Sequence, residues 1–161
     1  MSTIDTPETG RDHLVIPALG NLYRLTAPLS WPLIRITTGL LLVPHGAQKL
    51  FGAFGGYGME ATGQFFASQL GLQPGYLFAL GAGLVEFVGG LLLVLGLLTR
   101  PTAAAVVVLM AVAVFSVHLG AGFFWTDGGY EYPLMWGLMA LAILLRGGGA
   151  YSLDRRIGKE F

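Results

Sequence analysis

WPLIRITTGLLLVPHGAQKLF, residues Trp31 to Phe51, is apolar enough to cross a bilayer, yet it carries Arg35, His45 and Lys49. On a helix, Arg35, Leu42 and Lys49 share one line, with Thr38, Gly39, His45 and Gly46 beside it, so the polar and small residues form a single stripe. The opposite face, with Ile34, Leu41 and Leu50, is free to meet lipid. Ionisable residues inside a membrane span face a protein interior or a wet cavity and are functional by default, because an unpaired charge in hydrocarbon is costly. The stretch reads as one wall of an internal polar site.

The rest of the chain agrees. Of 161 residues, 54% are hydrophobic and 11% charged, and the mean hydropathy is +0.68, so an integral membrane protein with the lipid bilayer as its first partner is expected. The formal net charge is zero and nothing invites a nucleic acid. No cysteine is present, which excludes disulfides, thiol catalysis, iron–sulfur clusters and thiolate metal sites. No haem is expected either, and redox chemistry must come from another cofactor or a partner. The 25 glycines suggest close approach between helices.

Residues 1–30 read as a cytoplasmic tail followed by a short interfacial piece around Leu19 to Leu29. The tail has no signal-peptide pattern, and its His13 reads as a solvated histidine. The first span begins where Ser30 can cap and Pro32 can occupy the first turn, and Pro44 predicts a kink just before His45. The breaker-rich run after Phe51 leads to a short amphipathic helix with Phe65, Phe66, Gln69 and Leu70, placed at the interface. A second span covers Gly75 to Leu98, where Ala79, Ala82, Gly83, Gly89, Gly90 and Leu93 put Glu86, its only charge, on a tightly packed face. A desolvated glutamate is either protonated or paired. After a tight connection at Thr99 to Pro101, the third span continues through Ala103 to Gly122, where Ala104, Ala111 and His118 repeat by seven and put His118 on a small-residue face near its end. After an aromatic and acidic loop, a fourth covers Glu131 to Leu145, short for a bilayer that needs about 20 residues. Arg146 closes it, and residues 147–161 read as a polar, basic cytoplasmic tail. Residues 31–146 thus form an all-α membrane bundle of four helices, with a short interfacial helix between the first and second.

Most cations fall on one side of such a bundle, with only Lys49 approaching the other, so both termini are expected in the cytoplasm of a multi-pass inner-membrane protein. His45, Lys49, Glu86 and His118 then converge toward the outer leaflet. One chemistry that fits is a quinone site: histidine or lysine donates to a ring carbonyl, while histidine and glutamate relay protons. A metal centre of His45, His118 and Glu86 is the less favoured reading, since no paired-histidine motif exists and Lys49 opposes a cation. The structural reading has Lys49 reaching the headgroups, the histidines bridging helices and Glu86 pairing with one of these groups. Arg35 can snorkel inward, and Trp136 reads as core or as a ring-stacking surface.

R-x(9)-H-G-x-x-K-L (Arg35, His45, Gly46, Lys49, Leu50), E-x-x-G-G-x-L-L-x-L-G-L-x-T-R (Glu86 to Arg100) and G-x-Y-S-L-D (Gly149 to Asp154) resemble the DoxX family of small four-helix membrane proteins. The resemblance covers about Ala27 to Arg156. It implies a subunit of a quinone-linked membrane oxidoreductase system, working with a redox partner protein, and it selects Arg35, His45, Lys49, Glu86 and His118. The sequence-based expectation is therefore a membrane subunit that binds quinone in the bundle. Glu86, His45 and His118 are its catalytic candidates; His45, Lys49, His118, Trp136 and Arg35 are its cofactor-binding candidates. Whether the chain is itself an enzyme stays open, as does a homo-oligomer. The competing class is a non-catalytic anchor or assembly subunit of a redox complex.

Overall fold

The computed structural model describes residues 14–160, so His13 lies outside the described residues. After a 3-10 turn at Pro17–Leu19, the elements are α1 (Gly20–Phe51), α2 (Gly58–Gln69), α3 (Gly75–Leu95), α4 (Thr99–Val112), α5 (Glu131–Arg146) and α6 (Leu153–Ile157). No strand occurs among the described residues. The helical path of α4 runs on through a π segment, Ala113–His118, and a last turn, Leu119–Ala121. Three helical stretches are long and apolar enough to cross a membrane: Pro17–Phe51, Gly75–Leu95 and Thr99–Ala121. Leu41, Leu84, Val88, Leu91, Phe115, Leu138 and Leu145 are exposed, whereas Ala79, Ala103 and Ala140 are buried. An apolar exterior over a small-residue interior suits a lipid solvent, and this is a membrane protein.

The first helix begins earlier than its sequence suggests. α1 starts at Gly20 and contains Pro28, Pro32 and Pro44. Ser30 does not cap; its hydroxyl donates to the Ala27 carbonyl at 2.8 Å. A proline in a first turn permits a start without requiring one, and the Thr26 hydroxyl engages the Leu22 carbonyl in the same stretch. The boundary drawn at residue 30 thus falls inside a helix. At 32 residues, α1 is about 48 Å long, against a hydrocarbon thickness of about 30 Å. Its residues 21–30 are all exposed and project past the end of α3.

The second span begins at Gly75 as expected but ends at Leu95, three residues before the expected Leu98, and α5, with 16 residues, is not among the stretches long and apolar enough to cross a membrane. α3 stops at Gly96, whose φ of 66° supplies a left-handed C-cap that glycine adopts without strain. α5 ends one residue beyond its predicted limit.

Packing depends on missing side chains. α1 and α3 cross at Gly39 and Gly90: a methyl on Gly90 would meet the Gly39 carbonyl at 2.8 Å, and one on Gly39 would strike the Gly90 carbonyl. Farther along, a methyl on Gly46 would lie 2.7 Å from Phe87 Cα. Similar contacts set Gly89 of α3 against Thr102 of α4, and Gly137 of α5 against Met110. Such approach maximises dispersion contact where no hydrophobic drive joins helices.

The segment after α5 is not a free tail. Ser152 and Asp154 are buried, Ser152 caps α6 by accepting from the Arg155 N–H, and the segment closes over one end of the helices. A list of polar residues cannot reveal this, because its partners are backbone groups at helix ends.

Candidate functional site

The alternation of small residues along α3 turns Glu86 inward, where it is 6% exposed. Lys49, in the last turn of α1, meets it: Nζ lies 2.6 Å from one carboxylate oxygen and 2.8 Å from the other. The close α1–α3 crossing makes this possible, since Gly46, one turn before Lys49, lets the α1 backbone rest on Phe87, the neighbour of Glu86. The pair is unequal in its surroundings: the Lys49 side chain is 28% exposed and that of Glu86 7%. Lysine therefore shields the carboxylate while keeping one side open. Phe51 and Phe87 flank the pair as an edge-to-face couple with centroids 5.3 Å apart.

The sequence places four groups in one pocket; the structure joins two by direct contact. His45 sits one turn before Lys49, exposed on the outer surface of α1, and among the described residues no hydrogen bond or ion pair joins it to Glu86. His118 is held elsewhere. Its Nδ1 donates to the Gly128 carbonyl at 2.6 Å, bracing the loop between α4 and α5. Among the described residues no hydrogen bond or ion pair links it to Glu86, Lys49 or His45. The heptad repeat that aligned it with Ala104 and Ala111 assumed a regular helix, and the wider π turn at Ala113–His118 alters that register. Among the described residues no three His, Cys, Asp or Glu side chains are grouped to hold a metal ion, so the metal reading built on His45, His118 and Glu86 has no cluster behind it.

Arg35 does not snorkel. It is fully buried; Nη1 donates to the carbonyls of Leu93 and, at 2.9 Å, Val94, and Nη2 to that of Tyr151 at 2.8 Å. The Leu93 and Val94 carbonyls lie in the last turn of α3, where the helix dipole favours a cation. Fourteen residues separate Arg35 from Lys49 on α1, about 21 Å, so the two do not share one ligand pocket. Trp136 is half-buried, packs on the core and touches Tyr132 edge to face; its indole N–H is buried without a partner among the described residues.

The residue missed by side-chain reasoning is Asp154. Its carboxylate accepts the backbone N–H groups of Leu98 and Thr99 at 2.8 and 2.9 Å, while its own N–H donates to Gly96. Asp154 thus satisfies the N-terminus of α4 as Arg35 satisfies the C-terminus of α3. Beside them the Trp31 indole donates to the Gly147 carbonyl at 2.9 Å, and Arg146 lies over the Trp31 ring at 4.7 Å. The closing S-L-D triplet was the available signal.

The described residues thus hold two polar centres about 21 Å apart along α1: a Lys49–Glu86 pair partly open to its surroundings, and an Arg35–Asp154 centre whose Nη atoms and carboxylate engage backbone groups, Arg35 Nε alone having no partner among the described residues. The DoxX family profile matches residues 30–119. The chain is 35% identical over 130 residues to a Haemophilus influenzae protein described only as uncharacterized, covering 79% of this chain and 90% of that one. It is 32% identical over 156 residues to the uncharacterized membrane protein Rv3486 of Mycobacterium tuberculosis, covering 89% and 91% respectively. A Bacillus subtilis protein named as a putative oxidoreductase, CatD, is 31% identical over 122 residues, covering 76% of this chain and 82% of its own. No solved structure matches. With more than half of its length inside the family profile, the chain belongs to the DoxX family.

Proposed function

We propose that this protein is a membrane subunit of a quinone-linked oxidoreductase system: four spans, α1, α3, α4 and α5, with α2 at the interface and both termini cytoplasmic. The quinone ring docks at the Lys49–Glu86 end, in the outer leaflet. The observation that carries this reading is the partly open ion pair. Lys49 has three N–H donors; with two directed at the Glu86 carboxylate, the third remains for an acceptor, on the side where Lys49 is exposed. His45 on the same face adds a second donor, and Phe51 supplies an exposed apolar surface. This donor set fits a flat ring bearing oxygen acceptors and arriving through lipid.

A bound quinone supplies two-electron chemistry that takes up two protons. Lys49 holds positive charge beside the ring oxygen on which electron density accumulates. Glu86, within hydrogen-bond reach of Lys49, accepts and passes protons, and His45 exchanges them from the lipid-facing side. The electrons come from a redox partner protein. The oxidoreductase name of the Bacillus subtilis relative supports a redox setting. His118, committed to Gly128, is assigned to the loop, and Arg35 to the opposite centre.

A second reading is favoured by one observation: the Lys49 and Glu86 charges already pair with each other and Arg35 and Asp154 bind backbone groups of the protein itself, as in a non-catalytic anchor for a redox complex. Solvent extraction of the purified protein separates the two. Stoichiometric quinone in the wild type, lost in Glu86→Gln and His45→Ala, supports the quinone site; a wild type that carries no quinone and takes up none on reconstitution favours the anchor.

A further inference from the structure

We infer that the Arg35 end of the molecule holds an anionic phospholipid, its phosphate seated between Arg155 and Arg156 and its acyl chains running down α3. A cleft of ≈ 440 Å³ opens there, lined by Leu95, Tyr151, Ser152, Leu153, Arg155 and Arg156. Its chemistry is divided. Leu95 is the last residue of the α3 span and is exposed together with Tyr151 and Ile157; Arg155 and Arg156 are exposed side by side. Among the described residues neither arginine pairs with a carboxylate, nor does Lys159. The nearby acids are committed, Asp154 to the Leu98 and Thr99 N–H groups and Glu160 to Arg100 at 3.8 Å.

The arginines are also held in place. Asp154 and Ser152 are buried on either side of Leu153, and Ser152 accepts the Arg155 N–H, so the backbone that carries both cations is pinned to α3 and α4. Arginine matches phosphate oxygens in a planar, bidentate fashion, and basic pockets at the ends of membrane helices take phospholipid headgroups. A lipid fits better than a soluble acidic protein because the apolar wall is the end of a membrane span, where acyl chains already lie. The inference is independent of the quinone reading, which concerns the Lys49–Glu86 pair about 21 Å farther along α1.

The test is native mass spectrometry of the full chain released from nanodiscs of mixed phosphatidylglycerol and phosphatidylcholine. The wild type is expected to retain phosphatidylglycerol over phosphatidylcholine. At about fivefold per cation near a charged surface, Arg156→Gln weakens retention about fivefold, and Arg155→Gln/Arg156→Gln about 25-fold. Millimolar inorganic phosphate is expected not to displace the lipid. Equal retention of the two lipids, retention unchanged in the double variant, or complete displacement by free phosphate would each overturn the assignment. So would binding of a soluble acidic protein that competes the lipid away. Both arginines are exposed, so an unchanged thermal midpoint in the variants shows that the fold is intact.

Discussion

Lys49→Met and Glu86→Gln should differ in cost, although they break the same ion pair. Removing Lys49 strands a carboxylate whose side chain is 7% exposed, and breaking a buried pair in this way costs about 3–5 kcal/mol. Removing the Glu86 charge leaves an ammonium on a side chain 28% exposed, free to swing toward the headgroups on its alkyl stem. The loss is then about 1.5–3 kcal/mol, that of a charged hydrogen bond. The double variant removes both charges and should sit close to Glu86→Gln, well above the sum of the two singles in stability. Reversible unfolding of purified protein by sodium dodecyl sulfate in mixed micelles, followed by the fluorescence of Trp31, Trp125 and Trp136, yields all four corners of the cycle. Equal single costs that simply add in the double variant, to within about 0.5 kcal/mol, would refute the argument that burial is shared unequally and that the pair acts as a unit.

The same titration reads three further expectations. Asp154→Ala leaves the part-buried Leu98 N–H and the buried Thr99 N–H without an acceptor and should destabilise by about 2–3 kcal/mol, whereas Asp154→Asn keeps one acceptor and should lose about half as much. Gly46→Ala drives a methyl into the Phe87 backbone and should cost about 1–3 kcal/mol; Gly81→Ala, on an exposed face with nothing within 4 Å, should stabilise by up to about 1 kcal/mol. Leu98 holds a φ of 49°, strained for a residue with a Cβ, so Leu98→Gly should stabilise by about 1 kcal/mol, with the unfolding midpoint moving upward.

What the sequence discloses and what it hides follow from periodicity. The inward aim of Glu86 and the glycine seam along α3 are written in local spacing, and each reappears in the structure, whereas the stop at Gly96 was passed over because the apolar run continues to Leu98. The ion pair was half legible: spacing put Lys49 and Glu86 on inward stripes, but pairing depends on the α1–α3 crossing set by Gly39, Gly46 and Gly90. His118 misled because a heptad count takes no account of a π turn. Arg35 and Asp154 bind main-chain atoms, which no list of side chains contains, so the first looked like a snorkelling cation and the second like part of a solvated tail. Ser30 and Pro32 suggested a beginning where the helix is already under way, because tolerance of proline at a helix start does not make it a marker of one.

The Arg35 contact with Tyr151 joins residues 116 positions apart, and that separation governs biogenesis. At about 5–20 residues per second on the ribosome, the first helix waits some ten seconds for the segment that finally covers its guanidinium. Until then a charge lies in the nascent bundle with only the carbonyls of α3 to receive it. A nonsense mutation near the carboxyl terminus would therefore do more than shorten the chain: it would leave the opening helix without its last acceptor, and the truncated product would be a substrate for membrane quality-control proteases.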